Sequence, residues 1–369
     1  MITLFFFSCS APKTSDTAQI SEPTSEQEQQ TTTDPPAYIL TTQMQLNRAG
    51  RLFITDRATG QEVWSVSNLE DPVWPDGRFS DDGNTLWHNV VDVKEHEAFK
   101  SRIQARDASG TVIEEFNVSG AHHSFDFKED GSFYTIQTQY EITEEYGTVA
   151  GDKIVKIHSG QIEPFFNIFQ WMEPEPLTQM WDFGYFEDAK DWTHANFLRW
   201  YKEHDRFLMT IPGINAIWAI DSDGSLKEVY LGAEMSPDPY DGLDITIFEG
   251  GFFELPHGAT MDWEGNLWVL SSGFGGQTPS FAQGYRPTEQ GLELIVSIGP
   301  HIEGAHSSGL GSVERLEDDR LLINWGIFGV VEEVDFEGTR YWSVEGGLQE
   351  VFGMSRGVRP APAFLSNIP

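Results

Sequence analysis

The sequence contains few cysteines and few basic residues. Its 369 residues include one cysteine, Cys9, so a fold that depends on internal disulfides is excluded. Lysine and arginine number 23 against 58 aspartates and glutamates, and the formal net charge is −35 at pH 7. No basic cluster interrupts this acidity, so charge excludes nucleic acid and anionic membrane as partners. An anionic substrate would need a local positive site that works against this field.

Long apolar runs are also missing. Residues 1–8 are apolar but far shorter than the about 20 apolar residues that cross a bilayer. Because they lead directly to Cys9, they resemble the end of a bacterial lipoprotein signal peptide. We therefore predict a lipoprotein-like signal segment at 1–9, lipidation at Cys9, and export to the periplasm or cell surface. A disordered apolar N-terminus is the alternative.

The composition changes twice near the N-terminus. Residues 10–36 are rich in Ser, Thr, Gln, Glu and Pro and contain almost no apolar residue, which predicts a disordered tether. Residues 37–369 are long enough to bury a large core and are predicted to form the folded domain. The membrane would then be reached only through the N-terminal lipid anchor.

The folded part reads as short β-rich runs separated by Gly, Asp and Asn turns. Two turn types alternate, as in Lys-Glu-Asp-Gly-Ser at 128–132 and Asp-Ala-Ser-Gly-Thr at 107–111. They form six pairs at roughly 45–65-residue spacing, each with room for about four strands. This pattern predicts an all-β fold, a six-bladed β-propeller with long loops on one face. A stack of β-sandwiches is the alternative, although it does not require the repeat to persist.

Three histidine-bearing phrases occupy the same place in this repeat. They are Ala-His-His-Ser-Phe-Asp-Phe (121–127), Asp-Trp-Thr-His-Ala-Asn-Phe (191–197) and Leu-Pro-His-Gly-Ala-Thr-Met-Asp (255–262). Each precedes the first turn of its unit, where a propeller has its innermost strand. We therefore expect His123, His194 and His257 to meet at one mouth of the central channel, with His306 at a similar place. His122 is expected to face away from His123, because strand neighbours alternate sides.

Two long insertions precede inner strands and are rich in aromatic residues. Insertions on one face of a repeat fold often form its binding surface. They predict an aromatic rim above the histidines, suited to a flat apolar ligand; packing of the loops is the alternative. The residues are Phe165, Phe166, Phe169, Trp171, Trp181, Phe183, Tyr185 and Phe186 in 163–190, and Tyr240, Phe248, Phe252 and Phe253 in 233–254.

Several phrases together resemble the arylsulfotransferase (aryl-sulfate sulfotransferase) propellers. They are the three histidine phrases, Asp-Arg-Phe-Leu-Met-Thr-Ile with Ala-Ile-Trp-Ala-Ile-Asp (205–221), and the Gly-Ser-Val-Glu-Arg-Leu to Asn-Trp-Gly run (311–326). The likeness covers roughly residues 40–355. It implies an exported six-bladed propeller that moves a sulfuryl group from a phenolic sulfate ester to a phenol, without a nucleotide sulfate donor.

The resemblance also implies roles for the histidines. His257 would be the nucleophile that carries the sulfuryl group, and His123 and His194 would bind the sulfate oxygens. His122 is a possible substitute for His123, and His306 is a further candidate for substrate binding. Neutral imidazole is a competent nucleophile near pH 7, and neighbouring imidazoles can donate hydrogen bonds to developing charge.

The sequence departs from the family pattern at one important position. Where the family usually has a Ser-x-Arg phrase after the second histidine, this chain has Met-Thr-Ile-Pro-Gly at 209–213. Pro212 thus stands about where an arginine would bind sulfate, and bidentate recognition is lost there. Arg286 and Arg356 are the candidates to compensate for this loss.

The alternatives at this point belong to different classes. A histidine cluster can hold zinc or copper, but no tight ligand spacing is present, so neither a metal nor another cofactor is expected. The preferred function is sulfuryl transfer between an aryl sulfate and a phenol. A non-catalytic cell-surface propeller that binds an aromatic ligand or a protein remains open, as does a hydrolase or lyase using the same histidines. The oligomeric state is not indicated.

Overall fold

The computed structural model describes residues 36–45, 50–68, 75–91, 101–178, 186, 188–273, 278–302, 306–346 and 350–366. Cys9 and the segment up to residue 35 lie outside these residues, so the signal segment, the tether and the lipid anchor stay predictions. Residues 34–369 form one compact unit. Within the described part of the chain, no helix is long and apolar enough to cross a membrane.

Strands account for most of the regular structure and are numbered in chain order. The first eleven are β1 (Tyr38–Gln45), β2 (Gly50–Asp56), β3 (Glu62–Asn68), β4 (Gly77–Phe79), β5 (Leu86–Val90), β6 (Arg102–Arg106), β7 (Val112–Asn117), β8 (Ala121–Phe127), β9 (Phe133–Thr143), β10 (Gly147–His158) and β11 (Gln161–Asn167). The next six are β12 (Lys190–Asp191), β13 (Phe197–Tyr201), β14 (Arg206–Ile211), β15 (Ala216–Asp221), β16 (Leu226–Leu231) and β17 (Thr246–Phe248). The last nine are β18 (Pro256–Met261), β19 (Leu267–Ser271), β20 (Phe281–Thr288), β21 (Gly291–Ile298), β22 (Ser312–Arg315), β23 (Leu321–Asn324), β24 (Val330–Val334), β25 (Arg340–Glu345) and β26 (Glu350–Val358). One short helix, α1 (Pro362–Ser366), follows them.

These strands form six sheets, which are the blades of a β-propeller. In order from the channel outward, the blades are β26-β1-β2-β3, β4-β5-β6-β7, β8-β9-β10-β11, β13-β14-β15-β16-β17, β18-β19-β20-β21 and β22-β23-β24-β25. The short β12 pairs with β10 in parallel. The predicted fold class and the predicted number of blades are both confirmed.

The predicted turns form the hairpins between blade strands. Between β18 and β19, the Asp262 carboxylate accepts the backbone N–H groups of Glu264 and Asn266, each at 2.9 Å. Gly265 at this turn has a positive φ of 80°, a conformation that glycine adopts without steric cost. Local residues therefore determine where each chain reversal occurs.

Strands differ in burial according to their distance from the channel. The second strand of a blade packs on both faces, and every residue of Leu86–Val90 and of Leu267–Ser271 is buried. The outermost strand of the second blade, Val112–Asn117, is almost entirely exposed. The apolar core thus lies between neighbouring blades and close to the channel, where it supports the inner strands.

Neighbouring blades are joined by a side chain that donates to a backbone carbonyl at the next inner strand. All six junctions have one such bond, between 2.7 and 3.2 Å. The donor–acceptor pairs are Thr42–Pro75, Asn89–His123, Ser124–Leu198, Asn196–Pro256, Thr260–Val313 and Ser312–Ser355. This ring of bonds fixes the inner strands relative to one another. It therefore also fixes the positions of the histidine phrases on those strands.

Candidate active site at the channel mouth

The inner strands bring His123, His194 and His257 together at one mouth of the channel. The rings of His123 and His194 meet edge to face, with centroids 5.0 Å apart. Burial, and then the charges of His122, His194 and His257, hold the pKa of His123 well below its usual range. Histidines from three blades thus share one small volume, although about 65 residues separate each from the next.

His257 has one fixed tautomer. Its Nδ1 lies 2.9 Å from the carbonyl oxygen of Leu255 and 2.9 Å from Ser272 Oγ. Because a carbonyl only accepts, Nδ1 carries the proton and Nε2 is unprotonated in the neutral ring. Burial lowers the pKa of His257 to about 4; the Leu255 carbonyl acts in the opposite direction and a charge on His194 in the same one. At neutral pH the ring is therefore uncharged.

The residue after His257 must be small. Gly258 has a positive φ of 51°, and a Cβ there would overlap the Gly311 carbonyl and Ser312 of the next blade. The register with β19 shifts between His257 and Thr260. The Pro-His-Gly phrase is therefore a local distortion of β18 that seats His257 against the neighbouring blade.

The pKa of His194 is shifted in the opposite direction. Its Nδ1 lies 2.6 Å from the Asp191 carboxylate, and its backbone has a positive φ of 49°. Burial opposes protonation of this ring, but the nearby Asp191 and Asp152 carboxylates outweigh it and raise the pKa of His194. Near neutral pH His194 thus carries more positive charge than an ordinary histidine.

His122 does not face away from His123, and that expectation is wrong. Their Nδ1 atoms lie 2.7 Å apart, and Nε2 of His122 lies 2.9 Å from the buried Asp152 carboxylate. The cause is the positive φ of 55° at His123, which accompanies a register shift between His122 and Phe125. Such a bulge breaks the alternation of strand side chains and turns both rings to one side.

His306 lies beside this cluster. Its Nδ1 is 3.4 Å from Ser280 Oγ, which also donates to the carbonyl oxygen of Ser272, the residue that contacts His257. Its Nε2 is buried without a hydrogen-bond partner among the described residues. The substrate-binding role predicted for His306 stays a prediction.

Pro212 lies in a turn that packs against the loop before His194. It begins a buried 3-10 turn, Pro212–Ile214, at the end of β14. The N–H of Gly213 donates to the Thr193 carbonyl at 3.0 Å, and a Cβ on Gly213 would overlap the carbonyl oxygens of Trp192 and Thr193. The turn therefore supports the loop that carries His194, and it offers no cation to a sulfate.

Gly213→Ala is expected to displace this loop. The added methyl group has no space, and overpacking of this kind destabilises a protein by about 1–3 kcal/mol. We expect a lower temperature of unfolding and weaker binding of any anion that His194 holds. Gly299→Ala is the matched control, because a Cβ there meets only Phe281 at ordinary contact distances of 3.6 and 3.8 Å. Equal unfolding temperatures for the two variants would contradict the support role.

Neither candidate arginine reaches the cluster as a free cation. Arg286 is on β20, away from the channel, and its exposed side chain pairs with Glu293 at 3.3 Å. Arg356 is buried in the channel on β26 and pairs with Asp76 at 2.5 Å. Asp76 also accepts from Ser124. Positive charge at the mouth is therefore best supplied by His194.

The expectation of an aromatic rim is wrong for most of the described residues, and the packing alternative applies to them. Phe166, Tyr240 and Phe253 are buried, and Phe165 and Phe169 pack against the buried core. Phe252 is exposed. Trp181, Phe183 and Tyr185 lie outside the described residues.

A small cavity adjoins the cluster. It is lined by His122, His123, Thr138, Ala150, Gly151, Asp152, Phe186, Asp191 and His194, and it has room for about one water molecule. No group of three or more His, Cys, Asp or Glu residues with metal-binding geometry occurs among the described residues. The arrangement combines a neutral buried imidazole, an imidazole with a raised pKa and further histidines, which suits group transfer from an anionic ester.

The family model named Arylsulfotransferase (ASST) matches residues 22–234 of this chain. The chain belongs to the arylsulfotransferase family. The matched region contains His122, His123 and His194 and ends before His257. For this arylsulfotransferase-family chain, no curated protein gives a match.

Solved structures resemble this arylsulfotransferase-family protein in fold. A Bacteroides caccae protein of unknown function shares 10% identity, with a TM-score of 0.54 over 87% of this chain and 98% of that chain. The periplasmic gluconolactonase of Pseudomonas aeruginosa shares 12% identity, with a TM-score of 0.51 over 88% of this chain and 99% of that chain. At these identities the likeness concerns the fold alone.

Two carboxylates that hold the histidines, Asp152 and Asp191, were not predicted from the sequence. Asp191 stands three residues before His194, and that short spacing was a usable signal. Asp152 lies on β10, about 30 residues from His122, so its partner could not be identified from the sequence.

Proposed function

We propose that this protein transfers a sulfuryl group from a phenolic sulfate ester to a phenol acceptor, with His257 as the nucleophile. The observation that carries the proposal is the meeting at one channel mouth of two histidines with different partners and oppositely shifted pKa values. His257 lies against the Leu255 carbonyl and has a lowered pKa, and His194 lies against the Asp191 carboxylate and has a raised pKa. Membership of the arylsulfotransferase family supports the reaction class.

Each histidine has a distinct part in the proposed reaction. The Nε2 lone pair of His257 attacks sulfur, because its Nδ1 proton is held by the Leu255 carbonyl. His194, whose pKa the Asp191 carboxylate raises, binds a sulfate oxygen and supplies the positive charge that Pro212 does not. His123, in contact with His194, faces the same small volume.

The reaction has two steps. In the first, a bond forms between His257 Nε2 and sulfur while the bond from sulfur to the aryl oxygen breaks, and the phenolate leaves with its electron pair. In the second, the oxygen of the acceptor phenol attacks sulfur, the S–N bond breaks, and His257 Nε2 regains its lone pair. The net result moves one proton from the acceptor to the departing phenol. Buried imidazoles can stabilise the charge that develops on the oxygens.

The test is an assay of the full-length protein with 4-nitrophenyl sulfate as donor and phenol as acceptor. We expect nitrophenol release that depends on phenol, with phenyl sulfate as the second product. Release without dependence on phenol would make the protein a sulfatase. No release from folded protein, across several aryl sulfates, would contradict the proposal and favour a binding propeller.

The pH dependence of kcat/KM follows from the two shifted histidines. Activity should be lost as pH falls through about 4, where His257 becomes protonated. It should also decline as pH rises through the raised pKa of His194, because the neutral ring no longer attracts sulfate. A bell-shaped profile is therefore expected.

Asp191→Asn should move only the alkaline limb of this profile. Since the Asp191 carboxylate raises the pKa of His194, its removal lets His194 lose its proton at lower pH. At pH 7 we expect KM for the donor to rise by about tenfold, which corresponds to about 1.4 kcal/mol of lost binding free energy. Asp188→Asn, an exposed position on the same segment, is the matched control. An alkaline limb that does not move in Asp191→Asn would rule out this role for His194.

A further inference from the structure

The buried Asp152 carboxylate is shared between two of the histidine phrases. It comes from β10, and 3% of the residue is exposed. One oxygen lies 2.9 Å from Nε2 of His122. The other accepts the Thr193 hydroxyl at 2.7 Å and the Ala195 N–H at 2.6 Å. Asp152 therefore ties His122 to the segment that carries His194.

The contact between His122 and His123 restricts the protons of both rings. Their Nδ1 atoms are 2.7 Å apart, so one of them donates and the other accepts. Nε2 of His122 donates to the Asp152 carboxylate. When His122 is neutral, its Nδ1 must accept, so His123 carries its proton on Nδ1 and has an unprotonated Nε2. When His122 is charged, its Nδ1 donates and His123 carries its proton on Nε2.

These two states differ by one proton at Nε2 of His123. If a proton arrives there and the Nδ1 proton of His123 crosses to His122, the positive charge ends on His122. The charge then lies against the Asp152 carboxylate and away from His194 and His257. Crowded imidazoles disfavour charge on His123 itself, so the transfer to His122 relieves repulsion.

The charges around the pair agree with this arrangement. Burial raises the pKa of Asp152. The charge and hydrogen bond of His122 and the hydrogen bonds from Thr193 and Ala195 outweigh burial, so the pKa is lowered. The carboxylate is thus ionised at neutral pH. The charges that act on His123 are those of His122, His194 and His257, and the Asp152 and Asp191 carboxylates line the same cavity.

We propose that Asp152, His122 and His123 form a proton relay for the phenols of the reaction. The inference rests on the sulfuryl transfer proposed above. The charged relay gives the proton on Nε2 of His123 to the departing phenolate, which leaves Asp152, His122 and His123 in the neutral-ring state. The acceptor phenol then returns a proton to Nε2 of His123 as its oxygen attacks sulfur. His123 touches the substrate, whereas His122 and Asp152 act through it as positioning residues.

The relay predicts a dependence on the leaving group. Nitrophenolate leaves without a proton, whereas phenolate from phenyl sulfate is a poor leaving group that needs one. In the full-length protein, Asp152→Asn should slow single-turnover sulfuryl transfer from phenyl sulfate by about 10²-fold, the lower end of general-acid effects. The same variant should slow transfer from 4-nitrophenyl sulfate less than about tenfold.

Two further variants separate the relay from a structural role. His122→Asn keeps a hydrogen-bonding group near Nδ1 of His123 but cannot carry the charge, so it should reproduce the donor-dependent loss. Thr193→Val removes another Asp152 contact and leaves the charge of the carboxylate, so it should affect both donors equally. If Asp152→Asn slowed transfer from both donors equally, the relay would be overturned. Asp152 would then only support the segment that carries His194.

A second readout is independent of sulfuryl transfer. In ¹⁵N-histidine-labelled protein, lowering the pH should place protons on both nitrogens of His122 while the His123 ring stays neutral, and Asp152→Asn should abolish that order. If His123 becomes the charged ring first, the relay is wrong. If the wild type transfers no sulfuryl group but His122 is still protonated before His123, the proposed function fails. The proton exchange between His122 and His123 would then still be supported.

Discussion

His257→Ala should abolish sulfuryl transfer. The substitution removes the only atom proposed to bond to sulfur, so kcat/KM should fall at least on the order of 10³-fold. The contacts that His257 loses are those to the Leu255 carbonyl and the Ser272 hydroxyl, so the fold should survive and thermal unfolding should change little. Added imidazole should restore part of the activity by entering the space that the ring leaves.

The same substitution at His158 serves as the control for His257→Ala. His158 is exposed at the end of β10 and bonds to Ser132 at 3.0 Å, on a blade edge away from the channel. Its loss should leave transfer unchanged. If His257→Ala keeps most of the wild-type rate while folded, His257 is not the nucleophile. The remaining candidates would then be His123 and His306.

A chain that ends at residue 349 should not fold. The deletion removes β26, the inner strand of the first blade, which pairs with β1 and closes the ring. Phe352, Met354 and Val358 are buried there. At about 1.5–3 kcal/mol each, their loss costs roughly 5–9 kcal/mol, comparable with the about 5–15 kcal/mol that stabilises a whole domain.

Loss of β26 also removes the partner of a buried charge. Arg356 pairs with Asp76 in the channel, and a buried carboxylate without its partner is strongly destabilising. We therefore expect no cooperative thermal unfolding of the shortened chain by circular dichroism. A chain that ends at residue 366 keeps β26 and α1 and should unfold like the full protein. A cooperative transition in the shorter chain near the full-length temperature would contradict closure by β26.

The architecture was predictable because its determinants are local. Turns such as the one at Asp262, where the side chain binds the following N–H groups, can be read from neighbouring residues. Their recurrence indicated six blades, and the blades brought His123, His194 and His257 together. The inner strand β13 illustrates this packing, since Phe197, Leu198 and Tyr201 are buried between blades.

The details of the site were not predictable because they depend on long-range contacts and backbone distortion. Alternation of strand side chains placed His122 away from His123, and the left-handed backbone of His123 reverses that result. The sequence carries no sign of this conformation, since only a few per cent of non-glycine residues adopt it. Asp152 reaches His122 only after β10 pairs with β9, a match that the sequence does not specify.

The most direct measurement is to trap the modified histidine. Full-length protein is mixed with 4-nitrophenyl sulfate without an acceptor, quenched under alkaline conditions, digested and examined by mass spectrometry. We expect one added sulfuryl group on the peptide that contains His257, and its disappearance when phenol is added before quenching. A sulfuryl group on a different histidine, or acceptor-dependent turnover without any modified peptide, would contradict the role proposed for His257.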